Sequence, residues 1–527
     1  MKSRVHVLKF GGTSVGSGER IRHVATIIAH HANHPDEDFP VVVVSAMAGV
    51  TDQLLRIAHY SSTRQDEECL LELSALKQKH REAAEKAVHK RKNLKPLLND
   101  LETAFKALEQ NIEALRSVGE LTDTSPAPNL PGGQDTLDVV ALRSAGVAAW
   151  GERLSVLLVA AAARDVRAQA TAVREEVIIT DQPEYETTKP FGATGKVLKV
   201  ARADPLPVET RARAEALIFP LIEQKSIPIV AGFIGRIGDA VSSVEFGCVT
   251  TLGRNGSDYS ASVIGAALDC IEVSIYTDVD GVLSADPRVV ANTRLLPRLS
   301  YAEAARLSWF GAKVLHPRTL IPVAHRNIPV RVRNTFRPHT RGTVVGPDGT
   351  QRSAAAAITV RRQLALITVE STDMFGAPEN AGQVFALASR AGAAPVAICS
   401  SSGHHLSFVV DEQAAHSVVS LLQHDMGRES GGLSTWRVLC RPGLAACACI
   451  GSGFTVDPMS PARAITALAR ERIPVITQGA SELGIVLIVE DQDSESALRC
   501  LHRDLIAPVI PLVRHEAHEK VPVTSNR

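Results

Sequence analysis

At 527 residues the chain exceeds what one hydrophobic core serves, so two or three domains are expected. Lys plus Arg and Asp plus Glu number 57 each, a balance that argues against a nucleic-acid-binding or membrane-surface protein. The eight cysteines form no CxxC pair, which argues against a zinc or disulfide framework and fits a reducing cytoplasm.

No signal peptide is read before the first strand. Residues 5–10 alternate and end in Gly11-Gly12, and residues 41–44 are a continuous apolar run ending at Ser45. Both read as buried strands of a parallel sheet, each followed by a small-residue loop. Residues 66–118 differ: they are charged and rich in Leu, and Leu101, Phe105, Leu108, Ile112 and Leu115 lay one apolar seam along a helix. Pro96 is expected to separate two helices, giving a helical hairpin inserted in the sheet domain. A Pro- and Gly-containing loop follows at 123–134. The apolar run 154–163 is shorter than the roughly 20 residues a bilayer crossing needs and reads as a buried helix.

Residues 227–234, 273–276 and 330–332 read as further strands, with helices such as 212–223 and 260–268 between them. This alternation implies an α/β layered sheet. After about residue 350 the texture changes. Ala386-Leu387-Ala388 followed by Pro395-Val396-Ala397-Ile398 resembles Ala467-Leu468-Ala469 followed by Pro474-Val475-Ile476-Thr477, and each segment returns through an apolar strand. Two small α+β modules are expected. Cys447 and Cys449 fall on one face of a strand there, as small buried hydrophobes. A tail, 507–527, has no strong pattern.

No G-x-x-x-x-G-K-[ST] loop is present, so any ATP is handled without one. Four small-residue loops at strand ends are the candidates, since open α/β sheets bind ligands there. Lys9-Phe10-Gly11-Gly12-Thr13-Ser14 offers a cation and free backbone N–H groups to an anion, though a glycine turn beside a solvated lysine has the same letters. Ser45-Ala46-Met47-Ala48-Gly49-Val50-Thr51 offers hydroxyls and close backbone approach, or simply a tight turn. In Leu252-Gly253-Arg254-Asn255-Gly256-Ser257-Asp258-Tyr259-Ser260 the arginine can fork onto a carboxylate, and Asp258 can orient a lysine or an amine. Thr277-Asp278-Val279-Asp280-Gly281-Val282, Asp286-Pro287-Arg288 and Phe310-Gly311-Ala312-Lys313 could hold a nucleotide, with Arg288 and Lys313 on phosphates. His316 reads as a packed, satisfied histidine rather than a base.

The KFGGTS, SAMAGVT, GER, LGRNGSDYS, TDVDGV…DPR and FGAKVLHP segments, in this order over residues 5–345, resemble those of aspartate kinases. The Asn of LGRNGSDYS and the long helical insertion are most similar to the kinase half of bifunctional aspartate kinase–homoserine dehydrogenases, and no dehydrogenase half is read after the second module. The resemblance implies an α/β amino-acid-kinase-like layered αβα domain at 1–345, with a helical insertion at 66–118. Two ACT-like, ferredoxin-like α+β modules would follow at 355–430 and 438–506. It implies transfer of the γ-phosphoryl group of ATP, accompanied by Mg²⁺, to the side-chain carboxylate of L-aspartate, a first step toward lysine, threonine and methionine.

By the same resemblance Lys9 neutralises the transferring group and Asp258 organises it. Arg254 grips the substrate α-carboxylate, Glu152 of Gly151-Glu152-Arg153 meets the α-amino group, and Ser45 and Thr51 contact substrate. Gly11, Gly12, Ser14, Thr277, Asp278, Arg288 and Lys313 line the nucleotide site. Leu283 stands where many relatives carry a tyrosine. Effector contacts would fall at Met374, Gln478 and Ser481. Val396 replaces an acid that would hold a lysine ammonium, so threonine, or no amino acid, is favoured over lysine as inhibitor. An oligomer, dimer or larger, is expected. Two rival readings remain open here: a kinase of the same fold acting on glutamate or acetylglutamate, and a catalytically dead amino-acid sensor.

Overall fold

Val5–Phe10 is a run of six buried residues, and a strand buried on both faces must satisfy its backbone against neighbours on both edges. It pairs in parallel with Phe39–Val44 on one side and Glu272–Thr277 on the other. The computed structural model describes residues 4–33, 38–124, 136–187, 199–238, 249–253, 255–312, 315–349, 355–371, 378–402, 404–429, 436–454 and 457–506. The chain divides into two compact units, Met1–Leu283 with Arg294–Thr350, and Ser284–Thr293 with Gln351–Arg527.

In chain order the first unit contains β1 (Val5–Phe10), α1 (Gly18–Ala32), β2 (Phe39–Val44), α2 (Val50–Ser62), α3 (Asp66–Ala87), α4 (Arg91–Thr124), α5 (Thr136–Ala148), α6 (Trp150–Asp165), β3 (Ala170–Ala172), β4 (Ile179–Thr180), β5 (Glu184–Thr187) and β6 (Lys199–Arg202). It continues with α7 (Pro207–Glu223), β7 (Ile227–Ala231), β8 (Ile234–Ile237), β9 (Val249–Thr251), α8 (Gly256–Ala267), β10 (Glu272–Thr277), β11 (Arg298–Ser300), α9 (Tyr301–Trp309), α10 (Pro317–Ala324), β12 (Val330–Asn334) and β13 (Thr343–Gly346). Among the described residues the main sheet has eight strands in the order β11-β13-β12-β10-β1-β2-β7-β3. From β1 the chain steps first to β2 on one side and later to β10 on the other. The carboxyl ends of β1, β2 and β10 therefore flank a topological switch point, where such sheets open a crevice. A smaller sheet, β4-β8-β9-β6-β5, belongs to the same unit.

Residues 227–234 are two strands rather than one. β7 ends at Ala231, and Phe233, held at φ 64°, turns the chain into β8 of the smaller sheet. The insertion is a helical pair, α3 and α4, whose seam residues Leu101, Phe105, Leu108, Ile112 and Leu115 are all buried in the same core as β1 and β2. Its break is not at Pro96, which lies inside α4. It falls at residues 88–90, because the buried Asp165 carboxylate at the end of α6 accepts from the backbone N–H groups of His89 (3.2 Å) and Lys90 (2.9 Å) and from Asn93 Nδ2 (3.1 Å). That carboxylate thus pins the link just ahead of α4 and also binds Arg22 at 2.9 Å. α4 runs to Thr124, and the remainder of the expected 123–134 loop lies outside the described residues. Val139–Asp165 is apolar and long enough to cross a membrane, but 89% of its most apolar window is buried within the fold, as the core-helix reading expects.

The second unit contains β14 (Ala357–Ser371), α11 (Pro378–Arg390), β15 (Ala397–Ser402), β16 (His405–Asp411), α12 (Glu412–Glu429), β17 (Trp436–Ile450), α13 (Met459–Arg470), β18 (Thr477–Ser481), β19 (Gly484–Glu490) and α14 (Ser494–Leu505). Each module is thus strand, helix, strand, strand, helix. The order β15-β16-β14-β17-β19-β18 joins them in one sheet. The join is an exchange. Residues 364–370 of β14 pair with β16, residues 444–450 of β17 pair with β19, and the other half of each long strand pairs with the opposite module. Accordingly Ile358 packs in the core of the second module, while Trp436 and Val438 pack on the core of the first. The segment Ser284–Thr293 adds Ala285 and Val290 to the second module's core. Ser284 Oγ meets His502 Nε2 at 2.8 Å, both buried. Cys447 and Cys449 are fully buried in that core, and burial pushes the Cys447 thiol up to about 12. The tail 507–527 lies outside the described residues.

Candidate active site

Lys9 is the penultimate residue of β1, and its ammonium lies 2.5 Å from Asp258 Oδ1 in the first turn of α8. The lysine is only 7% exposed, so its charge sits in a low-dielectric setting where it acts strongly on a neighbouring anion. Two glycines clear the space. A Cβ on Gly11 would come within 3.2 Å of Lys9 Nζ, and one on Gly12 within 3.0 Å of Ala46 O in the neighbouring loop. The β1 and β2 loops therefore approach backbone to backbone beside the lysine.

Glu152 opens α6 and is 2% exposed. The backbone N–H of Ala46, just past Ser45, donates to its Oε1 at 3.1 Å. Its other oxygen, Oε2, is buried with no hydrogen-bond partner. Burial pushes the carboxyl up to about 8, against the hydrogen bonds from Ala46 and from its own backbone. A buried acid with one unmatched oxygen favours a cation or donor brought by a ligand.

The remaining expected site residues divide. Ser45 is half-buried and hydrogen-bonded through its N–H to Phe10 O at 3.1 Å, and Thr51 is half-buried at the start of α2. Ser45 thus lies on the loop that carries Ala46, and Thr51 in the first turn of the helix that follows it. Ser14 is fully buried, its hydroxyl 2.6 Å from Thr335 Oγ1, so it ties the first loop to the end of β12. Thr277 ends β10, with Oγ1 3.2 Å from Asp278 Oδ1, and Asp278 is exposed. Arg254, Lys313 and Met374 lie outside the described residues. The flanks of position 254, Gly253 and Asn255, are both left-handed, at φ 73° and 56°. Arg288 belongs to the second unit and forks onto Asp286. His316 is satisfied but exposed: it caps α10, its Nδ1 accepting from Arg318 N–H at 3.2 Å, so the packed placement expected of it is corrected. Gln478 and Ser481 are exposed on the edge strand β18, and a Cβ on the neighbouring Gly479 would come 3.4 Å from Ile398 O of β15.

Two supporting residues escaped the sequence reading. Arg318 stacks 4.5 Å over the Tyr259 ring and donates to Leu252 O at 3.1 Å, bracing the turn before α8. Asn334 at the end of β12 donates to Asp280 Oδ1 at 2.8 Å, bracing the loop after β10. In both cases the partner is far away in sequence, and no local motif marks it.

The crevice thus joins a buried lysine on a half-buried aspartate with an unmatched buried acid, a setting for holding small charged molecules. Residues 4–334 match the Amino acid kinase family, and the chain belongs to it; residues 448–505 match an ACT domain. Within that family it belongs with the aspartokinases. It is 30% identical to Aspartokinase 3, chloroplastic, of Arabidopsis thaliana over 537 residues, covering 94% of this chain and 80% of that one. It is 32% identical to Bifunctional aspartokinase/homoserine dehydrogenase 2, chloroplastic, of the same plant, covering 94% of this chain and 50% of the relative. The chain thus spans about half the length of the bifunctional relatives it matches. Its fold is similar to that of E. coli aspartokinase III in complex with aspartate and ADP, with a TM-score of 0.68 and 26% identity over 95% of this chain and 100% of that one.

Proposed function

We propose that this chain transfers the γ-phosphoryl group of ATP to the β-carboxylate of L-aspartate, and that the regulatory unit biases the reaction through a bound amino acid. The observation that carries the reading is the buried, unmatched Glu152 Oε2, one strand away from the Lys9–Asp258 pair. An unmatched carboxylate suits a free α-ammonium group. An N-acetylated substrate has no such cation, so acetylglutamate is disfavoured.

The nucleophile is a carboxylate already ionised at neutral pH, with a free pKa of about 3.9. No general base is needed. The task is to bring two anions into line and offset their repulsion. Lys9, held by Asp258, meets the phosphoryl oxygens as charge builds on them, and the loop after Gly11 offers backbone N–H groups. Glu152 and Arg254 fix the two ends of the amino acid, so that its side chain is the only part free to react. A Mg²⁺ ion bound with the nucleotide would offset negative charge on the phosphates.

The test is trapping of the acyl phosphate with hydroxylamine, with ATP and either aspartate, glutamate or acetylglutamate. Aspartate-dependent hydroxamate is expected. Equal turnover of glutamate, or ATP consumption without hydroxamate, refutes the assignment.

A further inference from the structure

The chain between β2 and α2 turns at residues 47–50. Val50 N–H donates to Met47 O at 2.9 Å, and Gly49 sits at φ 77°, ψ −3°. Ala48 is not left-handed, so this is a type II β-turn, whose third position calls for glycine. Its central peptide, Ala48–Gly49, is rotated by about half a turn relative to a type I turn over the same residues. The direction of the Ala48 carbonyl is therefore what separates the two turns, and the residues here are compatible with both.

That carbonyl is held from the helical insertion. Lys79 of α3 donates through Nζ to Ala48 O at 2.7 Å. Ala48 and Gly49 are both exposed, so water would satisfy the carbonyl equally well, and what the lysine adds is a direction. A direction matters only where the donor is fixed, and α3 is fixed. Glu72 O accepts from Gln53 Nε2 at 3.0 Å, and the Glu72 carboxylate is forked by Arg56 at 2.8 and 3.2 Å, both partners lying on α2. Further along, a Cβ on Gly18 would come within 2.5 Å of Ala83 O, so α1 and α3 meet backbone to backbone. The insertion is thus braced against the helices that follow the β1 and β2 loops.

We propose that Lys79 is a positioning residue for the reaction: it holds the Ala48–Gly49 peptide in its type II orientation and so fixes the loop that carries Ser45 and leads into Thr51. The proposal rests on the reading of that loop as an aspartate contact. Residues 46–48 are tied to two different helices, to α6 by Ala46 N–H on Glu152 Oε1 at 3.1 Å and to α3 by Lys79 on Ala48 O. They also lie close on the β1 loop, since a Cβ on Gly12 would come 3.0 Å from Ala46 O and one on Gly16 3.4 Å from Ala48 Cβ. With so little slack, turning the central peptide shifts its neighbours, and the substrate contacts at Ser45 and Thr51 move with them. Lys79 acts through the loop and touches no reacting atom.

The test compares Lys79→Met, Lys79→Arg and Lys77→Met in the full chain. Methionine keeps the stem and removes the donor, and arginine restores a donor. Lys77, which pairs with Glu109 at 2.5 Å, gives up an equal charge from the same helix without touching the loop. Amide hydrogen exchange over residues 45–51, without substrates, does not depend on the activity. The amides of Ala46 and Val50, both hydrogen-bonded, report the turn. Lys79→Met should speed their exchange roughly three- to thirtyfold, the range for losing one partly exposed hydrogen bond to a charged group, and Lys77→Met should not. In the hydroxamate assay Lys79→Met should raise KM for aspartate by a similar factor and leave KM for ATP unchanged, and Lys79→Arg should restore most of the loss. Unchanged exchange in Lys79→Met, or an equal rise in Lys77→Met, overturns the proposal whatever the enzyme turns over. Faster exchange with an unchanged aspartate KM overturns it too. A parent that forms no hydroxamate refutes the assigned reaction instead, and exchange then decides whether Lys79 holds the loop.

Discussion

Glu152 offers the most direct test of the active site. Its carboxyl is pushed up to about 8 by burial, so at pH 7 only about one molecule in eleven of the free protein carries it ionised, and at pH 8 half do. If the ionised form pairs with the substrate ammonium, KM for aspartate should fall about tenfold from pH 6 to 7 and about fivefold from 7 to 8, with kcat nearly flat. Glu152→Gln replaces a charge-assisted contact worth about 1.5–3 kcal/mol, so KM should rise roughly 10- to 100-fold and lose its slope. Stability gives an independent readout. The folded pKa lies above the unfolded value of 4.5, so the acid's contribution is present below pH 4.5 and is lost as pH rises toward and through 8. The glutamine variant should therefore gain melting temperature relative to the parent as pH rises from about 5 to 8. Initial rates with ADP release as signal, and thermal melts at matched pH, measure the two effects. A flat parent KM over pH 6–8, or the same slope in the variant, refutes the assignment of Glu152 to the ammonium.

Three further outcomes follow from the geometry. Lys9→Ala should lower kcat by about 10²–10³ while nucleotide affinity changes little, since the charge matters most in the transition state; steady-state kinetics with binding measured separately decides it. Gly11→Ala places a methyl about 3.2 Å from Lys9 Nζ and should lower kcat at unchanged melting temperature, whereas a purely conformational glycine would show the loss in stability. Asp165→Ala removes the carboxylate partner of Arg22 and the anchor of the link before α4 and should cost about 3–5 kcal/mol in urea unfolding. Burial alone would raise the Asp165 pKa, but Arg22, the N–H groups of Lys90 and His89, and Asn93 outweigh it and hold it well below the usual range. Its contribution is therefore present above pH 3.8 and lost on acidification below it.

The sequence was readable wherever signals were local. Continuous apolar runs marked β1 and β2, the leucine-rich seam marked α4, and the glycine-bearing loops marked the crevice. It failed where the deciding partner came from elsewhere. Pro96 looked like the break in the insertion, yet the acid that anchors the link at 88–90 comes from the far end of α6. Residues 227–234 read as one strand because the left-handed Phe233 carries no local mark. The importance of Glu152 came by resemblance; its physical cause, an oxygen buried without a partner, exists only in three dimensions.

The regulatory unit carries this lesson furthest. The repeat suggested two modules, 355–430 and 438–506, and the strand exchange joins the two intervals in one sheet. The first module's strand β14 is covered on its far edge by residues 436–441 of β17, and the second module's β17 is covered by residues 357–361 of β14. An edge left open in either would expose unpaired backbone, so the two should unfold as one cooperative body rather than in sequence. Phe408 is fully buried in the first module's core, and its truncation to Ala should cost about 3–5 kcal/mol. Under two independent modules that loss stays in β16. Under the exchanged arrangement it also reaches β19, whose nearest neighbours in sequence are all in the second module. Hydrogen exchange on the full chain in low urea distinguishes these outcomes: Phe408→Ala should lower protection in β16 and β19 together. Unchanged protection in β19 would mean that the modules open separately despite their shared strands, and that an effector bound to one need not be felt by the other.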